Sequence, residues 1–206
     1  MYSQHGEDLF IESYMLSTTP GNFLDIGAND GITYSNSRLF IEKYGFKAVL
    51  VEPTSACIAK LEELYSNNPN IEIYPYAIDI AESDNIIYIG NLEPNTINQV
   101  ATMSETEKTY WETNRSVVYN KETIKTKTVS NMLSEIKLDT FDIISIDTEG
   151  NDNLILDELI KLGHRPEFII FEHNSNEDTI EKMKYSVSNL YQIVWENSIN
   201  FILQKL

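Results

Sequence analysis

The sequence predicts an α/β fold in which a doubly wound, mostly parallel sheet ends in an antiparallel hairpin. Short apolar runs alternate with segments of helical period, and polar residues follow the carboxyl ends of several runs. Parallel strands need helical crossovers and are buried on both faces, so they read as continuous apolar runs. The last two extended segments have no helix between them, which indicates the hairpin. With 206 residues, 42% of them hydrophobic, we expect a single domain over residues 1–206.

The first half of the chain predicts four strands and two helices. Gly45 is a typical C-cap for the first helix, Pro53 ends the second strand, and Thr54 is a good N-cap for the second helix. The strand at 86–89 is expected to form a hairpin with the strand before it. In chain order these elements are strand 23–28, helix 35–44, strand 48–52, helix 54–66, strand 71–78 and strand 86–89.

The middle of the chain, residues 91–127, shows little periodicity and is rich in Thr, Glu and Asn, which predicts a variable insertion or lid. Its aromatic residues Tyr110, Trp111 and Tyr119 could stack on a sugar or form the core of an inserted hairpin. Regular patterns return afterwards, and Gly163 ends one of the helices. They predict helix 129–136, strand 141–147, helix 152–162, strand 168–171, helix 179–187 and the hairpin strands 191–196 and 200–204.

Charge and composition exclude several partners. The formal charge of −17 and the pI near 4.4 argue against nucleic acid and anionic lipid, because both require a basic surface. No apolar run approaches the length that crosses a bilayer. A single cysteine, Cys57, allows no intrachain disulfide, which favours a reducing compartment. We therefore expect a soluble, cytoplasmic protein without a membrane partner, and the oligomeric state stays open.

The most informative segment is DIGANDG at residues 25–31, which closes the first apolar run. In open α/β sheets, ligands bind beyond the carboxyl ends of the strands, where Gly27 and Gly31 would permit a tight turn and a close approach. Glu52 ends the next strand, near the spacing at which such folds place a carboxylate on ribose hydroxyls. The segment predicts a nucleoside site, and the alternative is a turn whose glycines only satisfy backbone geometry.

The acidity of this loop indicates which nucleoside it binds. A dinucleotide brings a pyrophosphate, which requires a third glycine and bare backbone donors. The loop lacks that pattern and carries Asp25 and Asp30, which would oppose a pyrophosphate by on the order of several kcal/mol when partly desolvated. S-adenosylmethionine has an ammonium, a sulfonium and no phosphate. It therefore suits the loop better.

Five short segments occur in order along most of the chain: SQHGED at 3–8, FLDIGANDG at 23–31, SNS at 35–37, VEP at 51–53 and IDTEG at 146–150. Together they resemble the successive motifs of the FkbM-like methyltransferases. The resemblance implies a class I, Rossmann-like fold with seven strands. It also implies S-adenosylmethionine-dependent methylation of a hydroxyl on a sugar, a glycan or a small metabolite. It is weak over 91–127, where acceptor specificity is expected.

The candidate cofactor residues have distinct roles in this interpretation. The loop at 25–31 would hold the amino acid end of the cofactor, and Glu52 would accept two hydrogen bonds from the ribose. The resemblance adds a lid or site-forming role for Gln4 and Asp8. The full predicted set is Gln4, Asp25, Gly27, Asn29, Gly31, Asn36, Glu52, Pro53, Ala77, Ile78 and Asp147.

Four polar residues near the cofactor keep two interpretations each. Asn29, Asp30 and Asn36 could bind the cofactor or only their own loop, because Asn and Asp commonly bond local backbone in turns. Asp79 could contact the adenine or be a plain turn residue.

Methyl transfer to oxygen also requires removal of the hydroxyl proton. Asp147, Glu149, Glu172 and His173 are predicted to share one crevice, and any of them could be the base. His173 has a pKa suited to neutral pH, but it could also be a strand-end histidine bonded to backbone. The same four residues could instead bind a divalent metal that acidifies the acceptor. The alternative to a metal site is a solvated turn, because carboxylates two residues apart in the sequence are common there. Glu149 could also anchor its own loop.

Three other functions remain open from the sequence. A Rossmann-type NAD-dependent oxidoreductase or epimerase would bind a dinucleotide. A noncatalytic nucleoside-binding module, or pseudoenzyme, would bind the cofactor and transfer nothing. RNA methylation is opposed by the overall charge and favoured only by Lys121, Lys125 and Lys127.

Overall fold

The computed structural model describes residues 1–15, 20–91 and 100–206. Within them the helices are α1 (Glu7–Tyr14), α2 (Arg38–Tyr44), α3 (Ser55–Tyr65), α4 (Glu105–Arg115), α5 (Val129–Glu135), α6 (Asp152–Lys161) and α7 (Glu177–Val187). The strands are β1 (Asn22–Ile26), β2 (Lys47–Val51), β3 (Ile71–Tyr74), β4 (Ala77–Ile78), β5 (Ser83–Ile89), β6 (Asn120–Lys127), β7 (Ile143–Ile146), β8 (Phe168–Glu172), β9 (Tyr191–Glu196) and β10 (Asn200–Lys205). None of the helices in this part of the chain has the length and apolar character needed to span a membrane.

The central sheet has seven strands in the order β3-β2-β1-β7-β8-β10-β9. The first five are parallel, while β10 is antiparallel to both β8 and β9. The chain builds outward from β1 to β3 and later returns to place β7 on the other side of β1. The strand order therefore reverses between β1 and β7, where open α/β sheets form their ligand crevice. The predicted doubly wound, mostly parallel sheet with a terminal antiparallel hairpin is confirmed.

Helices cover both faces of this sheet because its central strands are apolar on both sides. On one face, Leu24 and Ile26 of β1 pack into a cluster with residues of α5, α6 and α7. On the other, Phe23 packs with Phe40 of α2 and Leu61 of α3. The two clusters fix β1 rigidly and so fix the loop that follows it.

Two predictions about the strands before residue 91 are wrong. Residues 71–78 form two strands, because β3 ends at Tyr74 in the central sheet and β4 begins at Ala77 in a second, three-stranded sheet. Pro75 lies between them and has no amide hydrogen with which to continue a ladder. The strand predicted at 86–89 does not form a hairpin with its predecessor. It is part of β5, which pairs antiparallel with β6, and β6 also pairs parallel with β4.

The segment at 91–127 contains regular structure that the sequence did not indicate. Residues 92–99 lie outside the described residues, and the remainder includes α4 and β6. The hydroxyl of Ser104 caps α4 by accepting a hydrogen bond from the Glu107 amide. No residue of α4 is fully buried. The helix therefore lacks the apolar stripe from which helices are predicted.

Candidate functional site

A cavity of about 530 Å³ opens at the carboxyl ends of β1, β2, β7 and β8. Its volume lies within the usual range for small-molecule sites. Residues of β4, β5 and α4 form the far wall, and Gln4 contributes from the N-terminal segment. Among the described lining residues, Arg115 is the one cationic side chain. The acidic lining residues are Asp25, Glu52, Asp147, Glu149 and Glu172.

Gly27 brings three strand ends together. Its backbone has φ +91°, and a Cβ built on it would lie 1.7 Å from the carbonyl oxygen of Asp147. Its N–H donates to the carbonyl of Val51 at 2.9 Å. Only glycine fits between β2 and β7 at this point. Gly31 serves packing instead, since its Cβ would lie 2.7 Å from Leu61 of α3, and it does not line the cavity.

Glu52 holds the end of β2 in a fixed geometry. Its Oε1 accepts hydrogen bonds from the amide of Thr54 at 2.9 Å and from the Thr54 hydroxyl, and its Oε2 accepts from the Asn29 amide at 3.2 Å. Burial raises its pKa, while the bonds from Thr54 and Asn29 oppose that rise. Three of the roughly four acceptor positions of a carboxylate are thus in use. One position on Oε2 remains for a ligand in the cavity.

Asp25 lies deeper in the crevice and is only 3% exposed. Burial raises its pKa to about 6, and hydrogen bonds from Ser37 and Ser145 limit the rise. The Ser145 hydroxyl also accepts a hydrogen bond from the side-chain amide of Asn36 at 3.0 Å. Asn36 also lines the cavity, so this network joins β1, β7 and the start of α2 beneath the ligand site.

The structure distinguishes the residues whose role the sequence left open. Asp30 accepts hydrogen bonds from the amides of Ile32 and Thr33 and does not line the cavity, so it stabilises its own loop. Asn29 does line the cavity, and its side-chain oxygen accepts a bond from the Cys57 thiol at 2.9 Å. Asp79 accepts from the amide of Ile80 and is not part of the lining, whereas its neighbours Ala77 and Ile78 are, as is Pro53.

The N-terminal segment is tied down by two buried acids. Asp8 accepts hydrogen bonds from the Ser3 hydroxyl at 2.7 Å and from the Tyr2 amide at 2.7 Å. Glu7 accepts from the side chain of Asn200 at 2.8 Å, and Asn200 lines the cavity. These contacts position Gln4 beside the site. The Glu7–Asn200 contact could not be predicted from the sequence, because only the fold brings these two distant residues together.

Three carboxyl groups converge beyond the ends of β7 and β8. One carboxylate oxygen from each of Asp147, Glu149 and Glu172 lies within 4.8 Å of the others. Burial raises the pKa of Asp147 to about 7, and the charge of Asp152 adds to the rise. Burial and the charge of Asp147 raise the pKa of Glu149 and of Glu172 well above the usual value. The cluster therefore brings three carboxyl groups of raised pKa together in one corner of the cavity.

The loop after β7 directs Glu149 into this corner. Asp152 accepts hydrogen bonds from the amides of Thr148 and Gly150 and from the Thr148 hydroxyl. The carbonyl of Glu149 accepts a bond from Thr102 at 2.7 Å, and its backbone is left-handed, with φ +54°. This loop is thus held by bonds at several points, and Asp152 carries out the anchoring that the sequence offered as one role for Glu149.

His173 lies outside the cavity lining. Its Nδ1 accepts a hydrogen bond from the Ser175 amide at 2.9 Å, and its ring stacks on Phe201 with ring centroids 4.1 Å apart. Burial lowers its pKa, which favours the neutral imidazole. The arrangement is that of a strand-end histidine bonded to backbone.

Helix α4 supplies the wall beside Glu149. Trp111 and Arg115 line the cavity from this helix, and Met103 lines it from just before. The indole N–H of Trp111 lies near the carboxyl of Glu149 and lowers its pKa. The geometry is not that of a standard hydrogen bond, and this N–H has no other hydrogen-bond partner among the described residues. From the sequence, Trp111 stood out only as one of several aromatic residues. Arg115 lies in the same variable segment but was given no site role, and Met103 was not a candidate, because the spacing of these residues carries no motif.

The lysines that favoured RNA lie away from the cavity. Lys121, Lys125 and Lys127 are all on β6, and none lines the cavity. Lys127 pairs with Glu135, and Lys121 lies over the ring of Tyr88. These contacts reduce the cationic surface that the cluster could offer.

Comparison with known proteins agrees with this geometry. A family model described as the methyltransferase FkbM domain matches residues 25–206. The solved structure of methyltransferase FkbM from Methylobacillus flagellatus KT has a TM-score of 0.57 at 13% identity, covering 100% of this chain and 48% of that one. No curated protein matches the chain at a significant level.

Two further solved structures share the fold. Monomeric WbdD has a TM-score of 0.53 at 13% identity, covering 98% of this chain and 41% of its own. The fibrillarin pre-rRNA processing protein of Methanococcus jannaschii has a TM-score of 0.52 at 11% identity, covering 93% of this chain and 69% of its own. At such identities the likeness concerns the fold alone. The chain spans less than half the length of WbdD and of the Methylobacillus protein.

Proposed function

This chain belongs to the methyltransferase FkbM domain family, and we propose that it uses S-adenosylmethionine to methylate a hydroxyl group of a sugar, a glycan or a small metabolite. Methyl transfer follows from the family. The lining of the cavity supports the cofactor, and the resemblance to the family supports the class of acceptor.

The charge of the cavity lining carries the proposal. Five carboxyl-bearing residues and a single cationic residue line the cavity among the described residues. A pyrophosphate placed there would meet like charge at short range, which is strongly unfavourable in a partly desolvated site. A cofactor with an ammonium and a sulfonium gains from the same charges. This supports S-adenosylmethionine over NAD.

The residues of the crevice suit the parts of this cofactor. Glu52 has one acceptor position left on Oε2 and would take a ribose hydroxyl, which is fewer than the two bonds the sequence predicts. Asp25 lies below Gly27 and would offset the charge of the ammonium. Ala77 and Ile78 give an apolar wall for the adenine. Bound in this way, the cofactor supplies an electrophilic methyl group.

The protein would mainly align the acceptor and help to remove its proton. Alignment of reacting atoms accounts for a large part of the rate in such displacements. We place the acceptor hydroxyl, and the loss of its proton, beside Asp147, Glu149 and Glu172, because their carboxyl groups face the cavity together. His173 is left out because it does not line the cavity.

Calorimetric titration with S-adenosylhomocysteine tests the cofactor assignment. We expect the wild-type protein to bind it, and Glu52→Gln to weaken binding by about 1.5–3 kcal/mol, roughly 10- to 150-fold, as for loss of a hydrogen bond to a charged group. Glu72→Gln is the matched control, because Glu72 lies on β3 and does not line the cavity. Absence of binding by the wild-type protein would contradict the proposal.

A thermal-shift comparison separates the alternatives. NAD is expected to leave the melting temperature unchanged, whereas saturating S-adenosylhomocysteine raises it. Stabilisation by NAD instead would favour an oxidoreductase or epimerase. Binding of S-adenosylhomocysteine without transfer of labelled methyl to any acceptor in a broad screen would favour a pseudoenzyme.

A further inference from the structure

The three carboxyl groups that converge beyond β7 and β8 form no ion pair with a cationic side chain of the described residues. Asp147, Glu149 and Glu172 each place one oxygen within 4.8 Å of the other two. No ion pair of the described residues includes any of them. Like charges this close oppose one another strongly unless something neutralises them. Carboxyl groups also converge in proteins that bind no ion, so the hydrogen-bond partners of each carboxyl indicate whether a cation binds here.

Glu172 is the decisive side chain. It is 6% exposed and lines the cavity, and no amide, amine or alcohol group of the described residues donates to its carboxylate. The groups that act on it are all acids: Asp147, whose carboxyl is its hydrogen-bonding neighbour, and the charges of Glu149 and Asp152. Oε2 of Glu149 is likewise buried without a partner among these residues. Nearby Asp152, by contrast, accepts three hydrogen bonds. A buried carboxylate without a donor is costly, so Glu172 indicates a ligand that the chain itself does not supply.

The geometry suits a single hard cation. Two oxygens on one ion are separated by at most twice the metal–oxygen distance, which is about 4.0–4.2 Å for Mg²⁺ and about 4.6–5.2 Å for Ca²⁺. The observed limit of 4.8 Å fits the larger ion directly and the smaller one after a shift of under about 1 Å. A ligand set made only of oxygens favours Mg²⁺, Mn²⁺ or Ca²⁺ over softer metals. It also leaves coordination positions open for water or substrate.

We propose that Asp147, Glu149 and Glu172 bind one divalent cation of the Mg²⁺ or Mn²⁺ class, which holds and activates the acceptor hydroxyl; this inference rests on the proposed function. The cation would sit between the cofactor crevice and the wall formed by Trp111 and Arg115. His173, which the sequence offers as a fourth ligand, is not part of the set because it does not line the cavity.

The cation would lower the pKa of the acceptor hydroxyl, as metal ions do for bound water. The hydroxyl proton leaves to a solvent water. A lone pair of the acceptor oxygen forms the new bond to the methyl carbon, and the carbon–sulfur bonding pair stays on sulfur. The products are a methyl ether and S-adenosylhomocysteine.

Titration with Mn²⁺, followed by the electron paramagnetic resonance signal of the free ion, tests the site without any methyl transfer. We expect one site on the full chain at about 0.15 M salt, where unspecific attraction to the acidic surface is screened. Mg²⁺ and Ca²⁺ should compete for it. Mn²⁺ bound there should also quench the fluorescence of Trp111, and Trp111→Phe should remove that quenching while leaving Trp195 as the remaining tryptophan.

Three variants identify the ligands. Glu172→Gln and Glu149→Gln should each weaken Mn²⁺ binding at least about tenfold, since even changes beyond the ligands cost 10- to 100-fold. Glu149 is partly exposed, so its variant covers the case in which Glu172→Gln does not fold. Glu107→Gln is the matched control, because Glu107 acts on Glu149 only through its charge. We expect this control to change binding by less than about threefold.

Two results would overturn the inference. One is a wild-type protein that takes up no Mn²⁺ below about 1 mM, the weak end of the range for protein sites of this kind. The other is a pair of folded variants, Glu172→Gln and Glu149→Gln, that bind Mn²⁺ as the wild type does. Binding of Mn²⁺ without binding of S-adenosylhomocysteine would refute the proposed function and leave the cation site standing. Binding of S-adenosylhomocysteine without binding of Mn²⁺ would refute the cation site alone.

Discussion

Gly27 is the residue at which the ligand crevice leaves no room for a side chain. Gly163, at the end of α6, has nearly the same backbone angle, with φ +90° compared with φ +91° for Gly27. The two differ in their surroundings, because a Cβ on Gly27 would collide with the Asp147 carbonyl at 1.7 Å, whereas nothing lies within 4 Å of one on Gly163. Comparing substitutions at the two glycines therefore separates the cost of a steric collision from the cost of a positive φ.

We predict that Gly27→Ala destabilises the protein by more than about 4 kcal/mol, because the β1–β7 contact must open to admit the methyl group. Gly163→Ala should cost only about 1–2 kcal/mol, the price of a left-handed alanine. Urea unfolding of both variants measures the difference. Equal losses would show that Gly27 is required for its φ alone.

At the scale of elements, α4 forms one wall of the cavity. It follows residues 92–99, which lie outside the described residues, and it presents two adjacent aromatic side chains. Trp111 lines the cavity, whereas Tyr110 is 55% exposed and does not. The helix therefore carries its own internal control for a role in acceptor binding.

We predict that Trp111→Ala lowers kcat/KM for the acceptor by about tenfold, equivalent to about 1.4 kcal/mol, while leaving binding of S-adenosylhomocysteine within about threefold of the wild type. Tyr110→Ala should change neither quantity. Steady-state kinetics with the acceptor found by screening, together with calorimetry, checks both. A loss of cofactor binding in Trp111→Ala would place α4 in the cofactor site instead.

The elements also show where local pattern is sufficient. Strands β1, β2, β7 and β8 are buried on both faces, so their apolar runs identify them within a few residues. In contrast, the break between β3 and β4 is decided by which strand each of them pairs with, and β5 pairs with β6 across an intervening 30 residues of chain that include α4. Pro75 signals the break, but it does not say that the chain changes sheets.

At the scale of the whole molecule, the excess of acid makes stability depend on pH. The chain carries a formal charge of −17, and burial raises the pKa of Asp25 to about 6 from an ordinary 3.8. Between these two values the folded state binds more protons at this group than the unfolded state does. Its contribution to stability is therefore present at low pH and is lost as the pH rises through about 6.

We predict that Asp25→Asn is more stable than the wild type at pH 8, by up to about 3 kcal/mol, because the pKa of Asp25 is raised from 3.8 to about 6. The free energy of unfolding of the variant should also depend less on pH between 4 and 6. Its affinity for S-adenosylhomocysteine should fall, because the ammonium loses its counter-charge. Asp157→Asn is the control, since a hydrogen bond from Ser186 lowers the pKa of Asp157. Urea unfolding from pH 4 to 8 measures both, and an Asp25→Asn protein less stable than the wild type at pH 8 would contradict the argument.

The sequence by itself determined the fold class and the crevice at the strand ends, and all of the predicted cofactor residues except Gly31 line the cavity. These depend on local chemistry: buried strands need apolar runs, tight turns need glycine, and polar residues at strand ends face one edge of a parallel sheet. Asp25, Gly27 and Glu52 could be picked out because each lies at the end of a recognisable strand.

Only the tertiary structure decided which side chains meet. Glu7 reaches Asn200, Asp152 holds the loop that carries Glu149, and His173 packs on Phe201 away from the cavity. These outcomes depend on strand register and helix packing between residues far apart in the chain, which leave no periodic trace in the sequence. For the same reason the wall formed by α4, with its exposed polar surface, could be identified only once the fold had placed it beside Glu149.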